Sequence, residues 1–408
     1  MRKKFFVPEL PFDPQTPQRL EIDALTNLGL GVGRIEGWVV MVPFALPGEE
    51  VEVKLWRHHR NYSEADLLQV LRPSPHRIQA PCPLFTHCGG CQYQHLRYEE
   101  QLRWKSLQVR EAFSRLGGIE VEVPLAWPSP REYGYRSKIT PHYQRPREGR
   151  IEAIGFVRHG SRRLIDVPHC PLATPAINDA LPQVREQARA QAATQRKGAT
   201  LLLRDTGEEV VCDPKRRVES EIADQRFSFV AGDFFQNNPF ILPALWAFVA
   251  EAASAPPVQE LYDVYCGVGT FGISAASRFQ RVIGIELSPA AVRLASENAQ
   301  RNGAHNCSFL HGKAEEVFAQ VASGSAESAV LIDPPRKGCE RDFLDALFAF
   351  APRRIVYVAC DPATQARDVR FCLDAGYVLK AIQPFDLFPQ TRHIENVVVL
   401  ERGEGESV

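Results

Sequence analysis

The chain has 408 residues, more than one hydrophobic core usually serves, and at about 150 residues per domain it is expected to divide into two or three. Apolar residues make up 44% and charged residues 24%, which excludes wholesale disorder and fibrous repeats, and no stretch approaches the roughly 18 uninterrupted apolar residues of a membrane helix. Lys+Arg 48 against Asp+Glu 49 gives a formal net charge of −1, so binding to a polyanion has to come from local patches. The start, MRKKFFVPELPFD, carries charge without a long apolar segment and soon meets Pro8 and Glu9, so no signal peptide is expected. A cytoplasmic location follows as an expectation, with no membrane association and no obligate protein partner. Ten cysteines in that compartment read as thiols, metal ligands or nucleophiles rather than disulfides.

Residues 18–72 alternate as short strands (RLEIDALT, WVVMVPF, EEVEVKLW, ADLLQVL) separated by glycine turns, which predicts a small β-barrel of the oligonucleotide-binding kind. Within it KLWRHHRNY interleaves Lys54, Arg57 and Arg60 with Trp56 and Tyr62, either to neutralise phosphates and stack on bases or simply as a solvated strand edge. PSPHRIQAPCP then leads into a second region, where LRYEEQLRWKSLQVREAFSRL predicts a long amphipathic helix stopping at Gly117-Gly118. Between Arg131 and Arg163 nine basic residues face three glutamates, with Tyr133, Tyr135, His142 and Tyr143 among them: a basic patch or a solvated strand face. From Gln259 short apolar runs (ELYDVYCG, RVIGIEL, AVLIDPP, RRIVYVAC) alternate with helical stretches, the pattern of a doubly wound α/β domain, and VVVLER reads as its final strand.

Four segments carry chemistry. Cys82-x5-Cys88-Gly89-Gly90-Cys91, with Cys170 far downstream in PHCPL, is a three-plus-one thiol set that suits a 4Fe–4S cluster better than the paired spacing of structural zinc. LYDVYCGVGTFGI spells G-x-G-x-x-G at Gly267, Gly269 and Gly272, and Glu286 closes the next strand, where a carboxylate can take both ribose hydroxyls of NAD or S-adenosylmethionine alike. LIDPPRKG puts Asp333 at a third strand end. VYVACDPATQARD places Cys360 between a strand and a helix whose N-terminal dipole favours a thiolate, with Asp361 opposing it. DLFPQTRHIENVVVL brings His393 and Glu395, either able to move a proton, just ahead of the last strand.

Together these segments resemble the RNA uracil-C5 methyltransferase family, which makes 5-methyluridine, and the resemblance covers almost the whole chain. It implies an α/β fold: a TRAM-like (OB-like) RNA-binding barrel over 1–76, a central α+β iron–sulfur domain over 77–225, and a C-terminal Rossmann-like S-adenosylmethionine-dependent methyltransferase domain over 226–408. The helix near 96–116 can, by the same resemblance, pack with the catalytic domain. Residue by residue, it implies a 4Fe–4S cluster on Cys82, Cys88, Cys91 and Cys170, with no electron-transfer role. Cys360 would be the nucleophile and Glu395 the proton acceptor, and S-adenosylmethionine would be met by Gln236, Tyr265, Thr270, Glu286, Lys313 and Asp333. Thr270 and Lys313 depart from the asparagines found in relatives. The implied partner is RNA with a single-stranded or flipped-out uridine. A barrel combined with a cluster is similar to the 23S rRNA branch; tRNA is the alternative substrate. From other classes, an NAD-dependent oxidoreductase or a non-catalytic RNA-binding protein remain readings of the glycine motif or the barrel alone.

Overall fold

The computed structural model describes residues 10, 12–255, 257–318 and 327–403, so most of the N-terminal segment considered above lies outside the described residues. Contacts group the chain into two units, one formed by 1–108, 156–165 and 390–392, the other by 109–155, 166–389 and 393–408. Among the described residues no helix is long and apolar enough to cross a membrane.

In the first unit, strands β1 (Gln18–Leu25), β2 (Leu30–Ile35), β3 (Trp38–Pro43), β4 (Glu50–His58) and β5 (Tyr62–Arg72) close into a barrel of order β1-β2-β3-β5-β4. Alternation along each strand sends Leu20, Ile22, Val40, Val42, Val51, Val53 and Leu55 inward. The opposite face stays wet. Trp56 is 54% exposed, and the His59 ring stacks on Tyr62 with centroids 4.2 Å apart. Helix α1 (Tyr98–Ala112) runs on into a wider turn, Phe113–Gly117, and ends at Gly118 in the left-handed region (φ +62°), the stop that the Gly-Gly pair predicts.

Along the chain after α1 come helix α2 (Pro175–Ala190) and short strands β6 (Lys138–Ile139), β7 (His142–Tyr143), β8 (Gly155–Val157), β9 (Leu164–Asp166), β10 (Ala199–Thr200), β11 (Leu203–Asp205) and β12 (Val210–Val211). Here the basic-patch reading needs correction for two of its tyrosines, although most of its arginines are exposed. Tyr135 is fully buried, with its hydroxyl donating to Pro389 O at 3.0 Å, and Tyr143 packs among Ile151, Ile154, Ala188 and Ala192. Neither ring is available to a base. A hairpin, β13 (Arg217–Ile222) and β14 (Gln225–Val230), follows, then helix α3 (Leu242–Ala253).

The remaining chain is the doubly wound domain: β15 (Glu260–Val264), α4 (Thr270–Ala275), β16 (Arg281–Glu286), α5 (Pro289–Arg301), β17 (Cys307–His311), α6 (Ala314–Phe318), β18 (Ser328–Ile332), α7 (Arg341–Phe350), β19 (Arg354–Ala359), α8 (Pro362–Asp374), β20 (Tyr377–Phe385) and β21 (Glu395–Arg402). Its seven strands take the order β17-β16-β15-β18-β19-β21-β20. The first five are parallel, as their apolar runs predict, whereas β21 pairs antiparallel with both β19 and β20. Leu261, Leu331, Val356, Val358 and Val397 face one core with α3 and α4. Tyr262, Val330, Ile332, Ile355, Tyr357 and Val398 face the other with α7, α8 and the end of α1 through Val109 and Phe113. Both faces of the sheet are therefore covered, and only the strand ends remain for chemistry.

Candidate active site

Four strand ends, those of β15, β16, β18 and β19, meet the start of β21 at one edge of the sheet. After β15 the chain turns sharply: Tyr265 holds φ +63°, an uncommon conformation for a bulky residue, and Gly267 and Gly269 take φ +56° and +87°. Asp263, buried beneath this loop, accepts the Gly272 N–H at 2.8 Å; its other oxygen has no partner, and burial is the main cause pushing its carboxyl up to about 7. Glu286 at the end of β16 accepts the N–H groups of Gly267 (3.1 Å) and Ser288 (2.8 Å), so one carboxylate ties the two strand tips together.

Over these tips opens a cavity of about 410 Å³, lined by Tyr265, Glu286, Leu287, Lys313, Lys337 and Phe343 among others. The size suits a nucleoside-bearing ligand. The lining also fits one: a carboxylate with acceptor capacity to spare at Glu286, aromatic and aliphatic walls at Tyr265, Phe343 and Leu287, and a glycine backbone open to close approach. Of the six residues expected to meet S-adenosylmethionine, Tyr265, Glu286 and Lys313 line this cavity, while Gln236, Thr270 and Asp333 do not. Thr270 instead opens α4, and Lys313 pairs with Glu316 at 3.7 Å. Leu287, Lys337 and Phe343 went unread in the sequence, although an apolar residue directly after the strand-closing glutamate was a usable signal.

Beside the cavity the structure groups Cys360, Glu395 and Asp333, as the sequence suggested, and adds Arg336. Cys360 follows the last residue of β19. Asp361 next to it caps α8, accepting from Ala363 N at 2.9 Å and Thr364 N at 3.4 Å. Burial, reinforced by the Glu395 and Asp333 carboxyls, pushes the Cys360 thiol up to about 11, and the Arg336 guanidinium pulls it the other way. The resting group is a thiol, so the helix dipole does not dominate here. Glu395 is only 3% exposed at the first position of β21; burial and the nearby Asp333 charge raise its carboxyl well above the usual range. Asp333 itself is raised to about 7 by burial. Two buried carboxyls facing one another resist ionising together, so near neutral pH the pair retains a proton.

The cysteine set behaves differently. Among the described residues no group of three Cys, His, Asp or Glu side chains able to hold a metal ion is found, so the 4Fe–4S cluster expected on Cys82, Cys88, Cys91 and Cys170 is not shown. Local bonds shape each loop on its own account: Phe85 N donates to Cys82 O (3.0 Å), Cys88 N to Leu84 O (2.8 Å), and the Cys170 peptide is held through Asn178 at 2.9 and 3.0 Å.

Known proteins share this design. The model of the tRNA (Uracil-5-)-methyltransferase family matches residues 172–403, and that of the TRAM domain residues 16–68. The tRNA (uracil(54)-C(5))-methyltransferase of Schizosaccharomyces pombe is 39% identical, over 96% of this chain and 80% of its own. An uncharacterized RNA methyltransferase of Halalkalibacterium halodurans is 31% identical, over 96% of this chain and 98% of its own. The crystal structure of the Pyrococcus abyssi tRNA (uracil-54, C5)-methyltransferase in complex with S-adenosyl-L-homocysteine is similar with a TM-score of 0.71 at 25% identity, covering 94% of this chain and 100% of that one. The sheet and its cavity are thus those of an S-adenosylmethionine-dependent methyltransferase, preceded by a TRAM barrel. More particularly, the chain belongs to the tRNA (uracil-5-)-methyltransferase family and is an S-adenosylmethionine-dependent RNA uracil-C5 methyltransferase.

Proposed function

We propose that the protein methylates carbon 5 of a uridine in transfer RNA, with Cys360 as nucleophile and Glu395 as proton acceptor. The observation that carries the reading is the grouping of a half-buried thiol, two carboxyls and a guanidinium beside a nucleoside-sized cavity. Carbon 5 of uracil is a poor nucleophile until sulfur adds at carbon 6. Cys360 loses its proton to the ionised member of the Asp333/Glu395 pair, which releases it to water so that Glu395 is ionised again before the last step, and the sulfur adds at carbon 6 while Arg336 faces the developing thiolate. Tyr265, Glu286 and Lys313, which line the cavity, would hold S-adenosylmethionine, and that group would supply an electrophilic methyl for the activated carbon 5. Glu395, a stronger base for being buried, then takes the proton left on carbon 5, and Cys360 is expelled.

Transfer RNA is favoured over 23S rRNA because relatives matching nearly the whole chain are named for tRNA uracil-54 methylation. The rRNA reading leans on the cysteine spacing, and no step above runs through a cluster. The purified protein, given methyl-labelled S-adenosylmethionine with tRNA and 23S rRNA transcripts side by side, should put 5-methyluridine into tRNA. Label confined to the rRNA would reverse the substrate assignment. Cys360→Ala should lower turnover by about 10⁴-fold or more, and full activity in that variant would remove the nucleophile from the scheme.

A further inference from the structure

The loop 333–339, between β18 and α7, carries Asp333 and Arg336 and has no regular structure of its own. Its backbone is held largely by one face of α8. Thr364 Oγ1 donates to Arg336 O at 3.2 Å, Arg367 Nη2 donates to Lys337 O at 3.1 Å, and Cys339 N donates to Asp368 Oδ2 at 2.8 Å. These three helix residues stand at i, i+3 and i+4, the spacing that places side chains over one another. Asp368 is fully buried and is also bound by the Tyr357 hydroxyl (2.8 Å) and by Arg367 (2.7 Å). The fit is close. Gly338 takes φ +77°, and a Cβ there would lie 2.5 Å from Asp368 Oδ2.

Helix α8 starts immediately after Cys360, with only its capping residue Asp361 between. The same helix thus sets the nucleophile at one end and, a turn further on, grips the loop that brings Arg336 to it. The Arg367–Asp368 pair joins a fully buried carboxylate to a half-exposed guanidinium, so desolvation of Asp368 offsets much of the attraction; what the pair does supply is fixed geometry.

We propose that Asp368 is a positioning residue: bound by Tyr357 and Arg367, it fixes the 336–339 backbone so that the Arg336 guanidinium faces the Cys360 sulfur. The proposal rests on Cys360 as nucleophile, which the Cys360→Ala assay tests separately. Asp368 touches neither substrate nor cofactor in this scheme and acts through Arg336.

The test follows alkylation of Cys360 by iodoacetamide against pH, without RNA, scoring the Cys360 peptide by mass spectrometry. The charged groups facing this thiol are Asp333 and Arg336 from the loop and Glu395 from β21. Arg336→Ala should move the alkylation midpoint upward. Asp368→Asn should move it the same way, by roughly one pH unit, and lower kcat about tenfold with little change in KM for RNA. In the double variant Asp368→Asn should add nothing to Arg336→Ala. An unmoved midpoint, or effects that add in the double variant, would overturn the proposal, since a residue that merely stabilises the fold acts regardless of Arg336. Should Asp368→Asn fail to fold, Thr364→Val removes the neighbouring bond to Arg336 O and should shift the midpoint in the same direction; no shift there overturns the proposal equally.

Discussion

Glu395 pays for its place in the site with stability, and that gives its role a signature beyond lost activity. Its carboxyl is raised in the folded protein, chiefly by burial, so folding favours the protonated form. Stability from this group is fully present below the unfolded value of 4.5 and is lost as pH rises through the folded value. Glu395→Gln cannot ionise. It should abolish turnover yet melt higher than the parent at pH 8, by about 2–4 °C for each kcal/mol recovered, with the gain vanishing near pH 4. A lower melting point at pH 8 would show the carboxylate to be held by partners not accounted for above. Asp333, raised to about 7, sets the kinetic counterpart: kcat/KM should climb as pH rises through about 7, and Asp333→Asn should lose that limb.

At the scale of elements, the strand tips were legible and what approaches them was not. Cys360, Asp333 and Glu286 could be read because buried parallel strands are short apolar runs that break off at a polar residue, and open α/β sheets bind ligands at that break. Arg336 stood in the same quoted motif, but its position is set by bonds from Thr364, Arg367 and Asp368 on α8, about thirty residues away, for which no local pattern exists. Tyr135 and Tyr143 misled for a related reason. Tyr135 lies outside any strand and Tyr143 in one of two residues, too short for periodicity to separate a buried face from a wet one. The antiparallel pairing of β21 also left no mark, since a strand buried along most of its length reads alike in either direction. Within the sheet itself tolerance should be low. Gly284 in β16 leaves room for the Phe309 ring, where an added Cβ would come within 2.3 Å of Cδ1 and 2.9 Å of Cys266 Sγ. Gly284→Ala should cost about 1–3 kcal/mol, seen as a lower melting temperature, and an unchanged one would mean that the ring has space to withdraw.

For the molecule as a whole, a formal net charge of −1 means that RNA affinity cannot come from a general field. It has to be assembled locally, and the barrel offers a surface built for it: Trp56, 54% exposed, with Lys54 and Arg57 on the same strand and the stacked His59–Tyr62 pair at its end. Arg57 lies 3.8 Å from Glu64, an exposed pairing weak enough to yield to a phosphate. Arg57→Ala in the full chain should raise KM for RNA and flatten its dependence on salt, the slope of log affinity against log salt falling by about one unit per lost phosphate contact. Trp56→Ala should raise KM without altering that slope, because stacking releases no counterions. Neither change should touch kcat or the alkylation rate of Cys360, whose charged neighbours are Asp333, Arg336 and Glu395. If both variants bind RNA like the parent at every salt concentration, the barrel's wet face is only a solvated edge, and the RNA must be gripped by the catalytic unit alone.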